Sequence, residues 1–138
     1  MTSRRPVQSG LFDLADDGSI RLVGGWSPSS GHHHFPRQPV CPYSGADDVE
    51  EVRLSGRGRL WAWTAVTTPP AGYSGLVPYG FGVVELDEER LRVVGRITES
   101  DPDQLDDGMA MRLVPEVLGE DDDGTEIMTW AFAPEESS

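Results

Sequence analysis

The stretch GFGVVELDEERLRVVGRI, Gly80 to Ile97, reads as two extended segments folded about an acidic turn. GFGVVEL (Gly80 to Leu86) and LRVVGRI (Leu91 to Ile97) flank Asp87 to Arg90, a short polar run that suits a hairpin. Gly82 and Gly95 fall inside the two segments and mark bends, since a strand glycine weakens packing but permits strong coiling. Upstream, LWAWTAVTT (Leu60 to Thr68) alternates: Trp61, Trp63 and Ala65 take one face, and Leu60, Ala62, Thr64 and Val66 the other. Downstream, Asp101 to Asp107 suits a single helical turn with Pro102 at its first position, followed by a strand from Met109 to Leu118. Gly119 to Gly124 is a solvated acidic turn. EIMTWAFA (Glu126 to Ala133) then supplies a fifth strand with Met128, Trp130 and Phe132 on one face.

Five strands with a short helical element between the third and the fourth describe an all-β, closed Greek-key barrel of the OB type. An immunoglobulin-like sandwich would need about seven strands, for which the chain has no room. The barrel occupies residues 49–138. Before it, residues 1–18 read as a flexible arm or short helix: Met1 to Gly10 has no periodicity, and Leu11 to Asp17 could make a short helix or a turn into Asp17-Gly18. Residues 19–48 are a separate segment. SIRLVGG (Ser19 to Gly25) is a short strand ended by its glycines, and Trp26 to Gly45 forms two loops around an extended piece at Phe35 to Val40.

The 138 residues carry 11 Arg, no Lys and 24 acidic groups, a formal charge of −13. Residues 1–45 have four Arg and three Asp, whereas residues 46–138 have seven Arg and 21 acids. So acidic a surface repels phosphate backbones and argues against nonspecific nucleic-acid binding. No apolar run approaches the ~20 residues that cross a bilayer, and the first residues lack a signal-peptide core, so a cytoplasmic location is expected. Cys41 is the single cysteine, which excludes an internal disulfide and cannot alone make a metal site.

From Trp26 the sequence WSPSSGHHHFPRQPVCPYSGADDVEEVRLSGRGRLWAWTAV resembles the thiolase-associated OB-fold family known as domain of unknown function 35. PYGFGVVEL (Pro78 to Leu86), LRVVGRI, LDDGMAMRL (Leu105 to Leu113) and the closing WAFAP (Trp130 to Pro134) come in that family's order, over about 110 residues. The resemblance implies an N-terminal rubredoxin-like zinc ribbon, built from a Cys-x-x-Cys-Gly knuckle, a Phe-Pro segment and a Cys-Pro-x-Cys-Gly knuckle. Here the knuckles read Ser27 to Gly31 and Cys41 to Gly45, so the ligand positions are Ser27, Ser30, Cys41 and Ser44. A neutral serine hydroxyl is a poor zinc donor, and the expectation is a degenerate ribbon that has lost its metal. His32 and His34 could share a face and join Cys41 in a rewired site, while a solvated loop is the plainer reading of the His run.

Catalytic constellations are missing from the sequence. Cys41 could be a nucleophile activated by a neighbouring His, but its family position makes it a relict zinc ligand. The acidic runs lack the alternation of a calcium loop, and the glycines of SGRGRL lead into a strand rather than a helix. The resemblance therefore implies a noncatalytic accessory subunit of a thiolase-superfamily acyl-CoA enzyme, whose partner is a thiolase or a lipid-transfer-protein-like aldolase acting on substrates such as steroid side chains. Such a chain would work in a hetero-oligomer, supporting its partner's fold and helping to receive a coenzyme A thioester at the interface. The alternative is an independent OB-fold module in which Trp61, Trp63, Tyr79 and Phe81 stack oligonucleotide bases beside Arg57, Arg59, Arg92 and Arg96. For a docking surface the loops nominate Phe35, Tyr43, Leu76, Tyr79 and Phe81, with Arg57 and Arg59 nearby, because aromatic and Arg side chains are the usual interface anchors.

Overall fold

The computed structural model describes residues 3–15, 17–68, 70–71 and 77–135. In chain order its strands are β1 (Arg4–Pro6), β2 (Phe12–Leu14), β3 (Ile20–Ser27), β4 (His32–His34), β5 (Glu50–Arg53), β6 (Arg57–Val66), β7 (Tyr79–Leu86), β8 (Arg92–Ile97), β9 (Ala110–Glu120) and β10 (Glu126–Pro134). A single 3-10 turn, Pro102–Gln104, interrupts them between β8 and β9. Pro102 fixes its first φ, and the Asp101 carboxylate caps it by accepting the Asp103 N–H at 3.0 Å.

β6, β7 and β8 form an antiparallel meander. β10 then runs parallel to β8, β9 pairs with β10, and β9 returns to β6 at Arg57 to Arg59, which closes the barrel. This is the OB arrangement expected from the five strand patterns. In β8 the alternation is complete: Val93, Gly95 and Ile97 are buried, while Arg92, Val94 and Arg96 point outward.

The alternation in β6 breaks at one residue. A bulge between Leu60 and Ala62 leaves Trp61 without a partner on β7 and reverses the inside–outside parity of the rest of the strand. Trp61 stands outward, 51% exposed, whereas Trp63 packs on the core and donates its indole N–H to the Pro102 carbonyl at 3.2 Å. The expected common face for Trp61 and Trp63 is therefore corrected, because an extra residue in a strand re-aims its neighbours.

The segment before the barrel differs from expectation in several places, one being that β3 runs on through Gly24 and Gly25 to Ser27 instead of ending at the glycines. The Arg4–Pro6 stretch, read as a flexible arm, is a strand parallel to β10, paired from Arg4 with Glu126 to Pro6 with Met128. In place of a helical turn, the region from Leu11 contains β2, an antiparallel partner of β3. The extended piece expected at Phe35 to Val40 is not a strand, and the three histidines form β4 instead. β5 hydrogen-bonds to β3 rather than to the barrel, so a boundary drawn at residue 49 does not coincide with the strand pairing. One core serves both sheets: Phe12, Ile20, Leu22 and Leu54 join Leu60, Leu86, Met111 and Phe132 in a continuous buried cluster. Each fully buried Leu or Phe there is worth about 1.5–3 kcal/mol of transfer free energy, which holds the appendage against the barrel without a disulfide.

Candidate functional site

The two knuckle segments fold into facing turns. The Gly31 N–H bonds to the Ser27 carbonyl at 2.8 Å, and the Gly45 N–H bonds to the Cys41 carbonyl at 2.9 Å. This brings Cys41 beside Ser30, with 3.6 Å between sulfur and hydroxyl. Ser44 reaches the same sulfur, and its hydrogen bond is the main reason the Cys41 thiol is drawn down to about 7, against the opposing effect of desolvation. Ser27 turns elsewhere: its hydroxyl donates to Asp48 Oδ1 at 2.7 Å, and the Ser29 N–H donates to Asp48 Oδ2 at 2.9 Å. These bonds, that from Ser27 first, hold the Asp48 carboxyl below the usual aspartate range.

Ser30 and Ser44 thus meet Cys41 through hydrogen bonds, while Ser27 is bonded to Asp48 instead. Only Cys41 is a competent zinc donor, and the Ser27 hydroxyl is committed to a carboxylate, so these residues do not fit the zinc that a ribbon implies. Nor are the histidines gathered around Cys41. The His32 ring lies against Tyr43, with centroids 5.4 Å apart, and His33 lies against Trp26 at 4.5 Å. His34 is buried and accepts the Gln38 N–H on Nε2 at 3.0 Å. Among the described residues no three His, Cys, Asp or Glu side chains form a group that could hold a metal ion.

A second feature lies where β8 and β10 part. Their parallel pairing is limited to Ala131 with Arg96 and Phe132 with Ile97, so the first half of β8 has no ladder partner on that side. Trp130 spans the gap and donates its indole N–H to the Val94 carbonyl at 3.2 Å. Gly95 makes this possible, since a Cβ there would come within 2.8 Å of the indole nitrogen. Phe35 packs edge-on to Trp130 at 5.4 Å from the ribbon-like segment, and Phe81 and Val94 complete the wall of a cleft of about 490 Å³. Arg92 and Arg96 are also among its lining residues.

The residues nominated for docking fall into separate groups. Phe35 and Phe81 share the cleft, and Tyr79 joins them through Arg96, whose guanidinium lies 4.3 Å over its ring. Tyr43 is 62% exposed beside His32. Arg57 pairs with Glu135 at 2.7 Å, and Arg59 reaches the Gly108 carbonyl at 3.5 Å, both at the β6–β9 closure. Leu76 lies outside the described residues. The rings considered for base stacking are also partly covered, for Arg92 lies 4.0 Å over Trp61. Sequence reasoning missed Asp48, Val94 and Trp130 as site residues. For Val94 there was one signal, a valine at an outward position between two arginines in LRVVGRI; Asp48 and Trp130 had none.

The closed barrel of β6 to β10, with the small sheet of β2 to β5 packed on it, defines an OB-fold protein. Residues 51–115 match the family described as the C-terminal OB-fold domain of ChsH2. The chain is 35% identical to a DUF35 domain-containing scaffold protein of Pyrococcus furiosus, over 94% of this chain and 95% of that one. It belongs to the DUF35-domain family. It is also 27% identical to the benzoylsuccinyl-CoA thiolase subunit BbsA of Thauera aromatica, over 88% and 83% of the two chains. Among solved structures it is similar to a chain of an Ltp2-ChsH2(DUF35) aldolase, with a TM-score of 0.64, 26% identity and coverage of 83% and 84%. Among the described residues no helix is long and apolar enough to cross a membrane.

Proposed function

We propose that this chain is a noncatalytic accessory subunit of a thiolase-like enzyme, working in the cytoplasm as part of a hetero-oligomer. Its partner is a thiolase or a lipid-transfer-protein-like aldolase that makes or breaks carbon–carbon bonds in acyl-CoA substrates, with steroid side chains within that class. The chain supports the partner's fold and contributes to the surface that receives the coenzyme A thioester. Residues 19–48 serve as a zinc-ribbon fold kept without its metal.

The observation that carries this reading is the outward barrel surface. Trp61, Phe81 and Val94 are large apolar side chains held in solvent, and arginines on β8 brace the neighbouring rings. Apolar groups rimmed by charged pairs characterise protein interfaces. The names of the relatives supply the kind of partner, since one is a thiolase subunit and another belongs to an aldolase. Phe35, Tyr79 and Phe81 are the contacts proposed around this surface, Tyr43, Arg57 and Arg59 are further proposed contacts outside it, and Leu76 adjoins Tyr79 and Phe81 in sequence.

Coexpression of the full chain with a thiolase-like protein of the same genome tests the proposal. Comigration in gel filtration, with a partner that loses solubility or activity when expressed alone, is the expected result. Separate elution of two folded proteins, with the partner fully active by itself, overturns it.

A further inference from the structure

We infer that the thiolase-like partner meets this chain with an acidic segment, a run of Asp and Glu side chains seated on the arginines where β9 returns to β6. This rests on the partner reading above and adds to it the chemistry of the docking segment and a further contact, Arg112.

Strand pairing gathers the cluster. Arg57 lies directly opposite Arg112, and Arg59 opposite Ala110. Residues opposed across an antiparallel pair share a face, as do residues two apart on one strand. Gly58 and Met111, on the other face, are buried, so Arg57, Arg59 and Arg112 all stand on the outward side of the barrel wall. Like charges set directly opposite one another are destabilising, so an arginine at 112 works against the ladder that closes the barrel. Its side chain is exposed, and among the described residues no hydrogen bond or ion pair engages it.

The chain's own acids do not neutralise this face. Glu135 takes Arg57 at 2.7 Å. Glu85, opposite Arg59 across the β6–β7 pairing, meets Arg92 at 3.5 Å instead. Arg59 reaches only the Gly108 carbonyl at 3.5 Å, beyond the usual range of about 2.7–3.2 Å. Arg59 and Arg112 are thus left without a carboxylate in a molecule of net charge −13. That contrast selects the occupant. Most of the surface repels an acidic segment, which therefore finds its seat only where guanidiniums are uncompensated, and complementary potentials of this kind fix the register of an interface. Arginine forks match carboxylates. The cluster stands on an open strand face, with the Arg57 side chain 69% exposed, which suits a protein surface better than an enclosed small ligand. Through Arg92, stacked over Trp61, it borders the outward apolar surface.

The test measures affinity of the full chain for the thiolase-like protein with which it is coexpressed, in low and in high salt. Arg59→Glu and Arg112→Glu should each weaken the complex by about tenfold or more, the scale of a close charge pair across an interface. Arg59→Lys and Arg112→Lys keep the charge and should stay near the wild type. Arg4→Glu makes the same change of charge on β1 and serves as the control that leaves affinity unaltered. The free Arg112→Glu chain should melt no lower than the wild type, since the substitution removes the opposition to Arg57. High salt should weaken the wild-type complex more than the complex of the doubly reversed variant. A wild type that binds no thiolase-like protein removes the partner reading and this inference with it. A wild-type complex that both reversals leave equally tight or tighten, or that Arg4→Glu weakens as much, overturns the acidic segment alone. Self-association of the free chain that is lost in the same variants gives this face to a second copy and overturns it too.

Discussion

Gly25 on β3 lies directly beneath the His34 imidazole on β4, so that a Cβ at position 25 would overlap ring atoms Cε1 and Nε2 and also come within 2.9 Å of Val49. The ring is 1% exposed and is anchored by the Gln38 N–H. Gly25→Ala should therefore force the ring out of its slot and destabilise the chain by about 1–3 kcal/mol, the usual cost of overpacking. Denaturant unfolding reads this loss. Adding His34→Ala should recover part of it, because the double variant removes the overlap; strictly additive losses would show that the two residues are not coupled.

The donor set at the knuckles predicts a metal-free protein that can be converted. Elemental analysis after metal-free purification should find no stoichiometric zinc in the wild type. The combined substitutions Ser27→Cys, Ser30→Cys and Ser44→Cys should bind about one zinc per chain, since the backbone turns are already formed and four thiolates are then available. One zinc in the wild type, lost on His32→Ala or Cys41→Ala, would contradict this assignment.

Cys41 makes stability depend on alkaline pH. Its thiol is drawn from 9.0 to about 7 in the fold, chiefly by Ser44. A depressed acid contributes stability above its unfolded value and loses that contribution as pH falls through the folded value. Stability should thus rise between about pH 7 and 9, and Ser44→Ala should flatten the rise. Thiolate absorbance as a function of pH supplies an independent measure of the same titration. A flat profile in the wild type would remove Ser44 from this role.

Tyr43 and Tyr79 separate an interface from a structural role. Tyr43 is 62% exposed and lies against the His32 ring, so Tyr43→Ala should leave the melting temperature unchanged while weakening a thiolase-like partner by about 2 kcal/mol, the cost of a lost central anchor. Tyr79 is partly buried under Arg96, and its truncation should lower stability as well. A destabilised monomer with unchanged partner affinity in both variants would sink the interface assignment.

The attachment of β1 should be sensitive to salt and acid. Arg4 pairs with Glu126 at 3.0 Å and Arg5 with Asp121 at 3.1 Å, all with partly exposed side chains. Exposed pairs contribute about 0.2–1 kcal/mol each and are screened by salt. The Arg5 hydrogen bond holds the Asp121 carboxyl below the usual aspartate range, so its contribution is present at neutral pH and disappears as acid protonates it. Exchange of the Val7 amide, which donates to the Met128 carbonyl at 2.7 Å, should accelerate in high salt and in Arg5→Ala relative to core amides. Equal protection under all conditions would mean that backbone pairing alone holds the strand.

The sequence by itself determined the barrel. Period-two alternation in LRVVGRI and the turns between strands are local properties, and they state which side chains face inward before any long-range contact forms. It also determined that Cys41 is the one thiol among Ser27, Ser30, Cys41 and Ser44, since that is a matter of residue type. Tertiary structure alone decided the parallel pairing of β1 with β10, because an aperiodic arm gains its hydrogen bonds from a strand more than 100 residues away. It decided the exposure of Trp61 too, through a bulge that depends on register with β7 and leaves no mark in the alternation. The seam cleft has the same origin. Its walls are Phe35, Phe81, Val94 and Trp130, four residues from four segments, and its space exists because β8 and β10 diverge before their ladder begins.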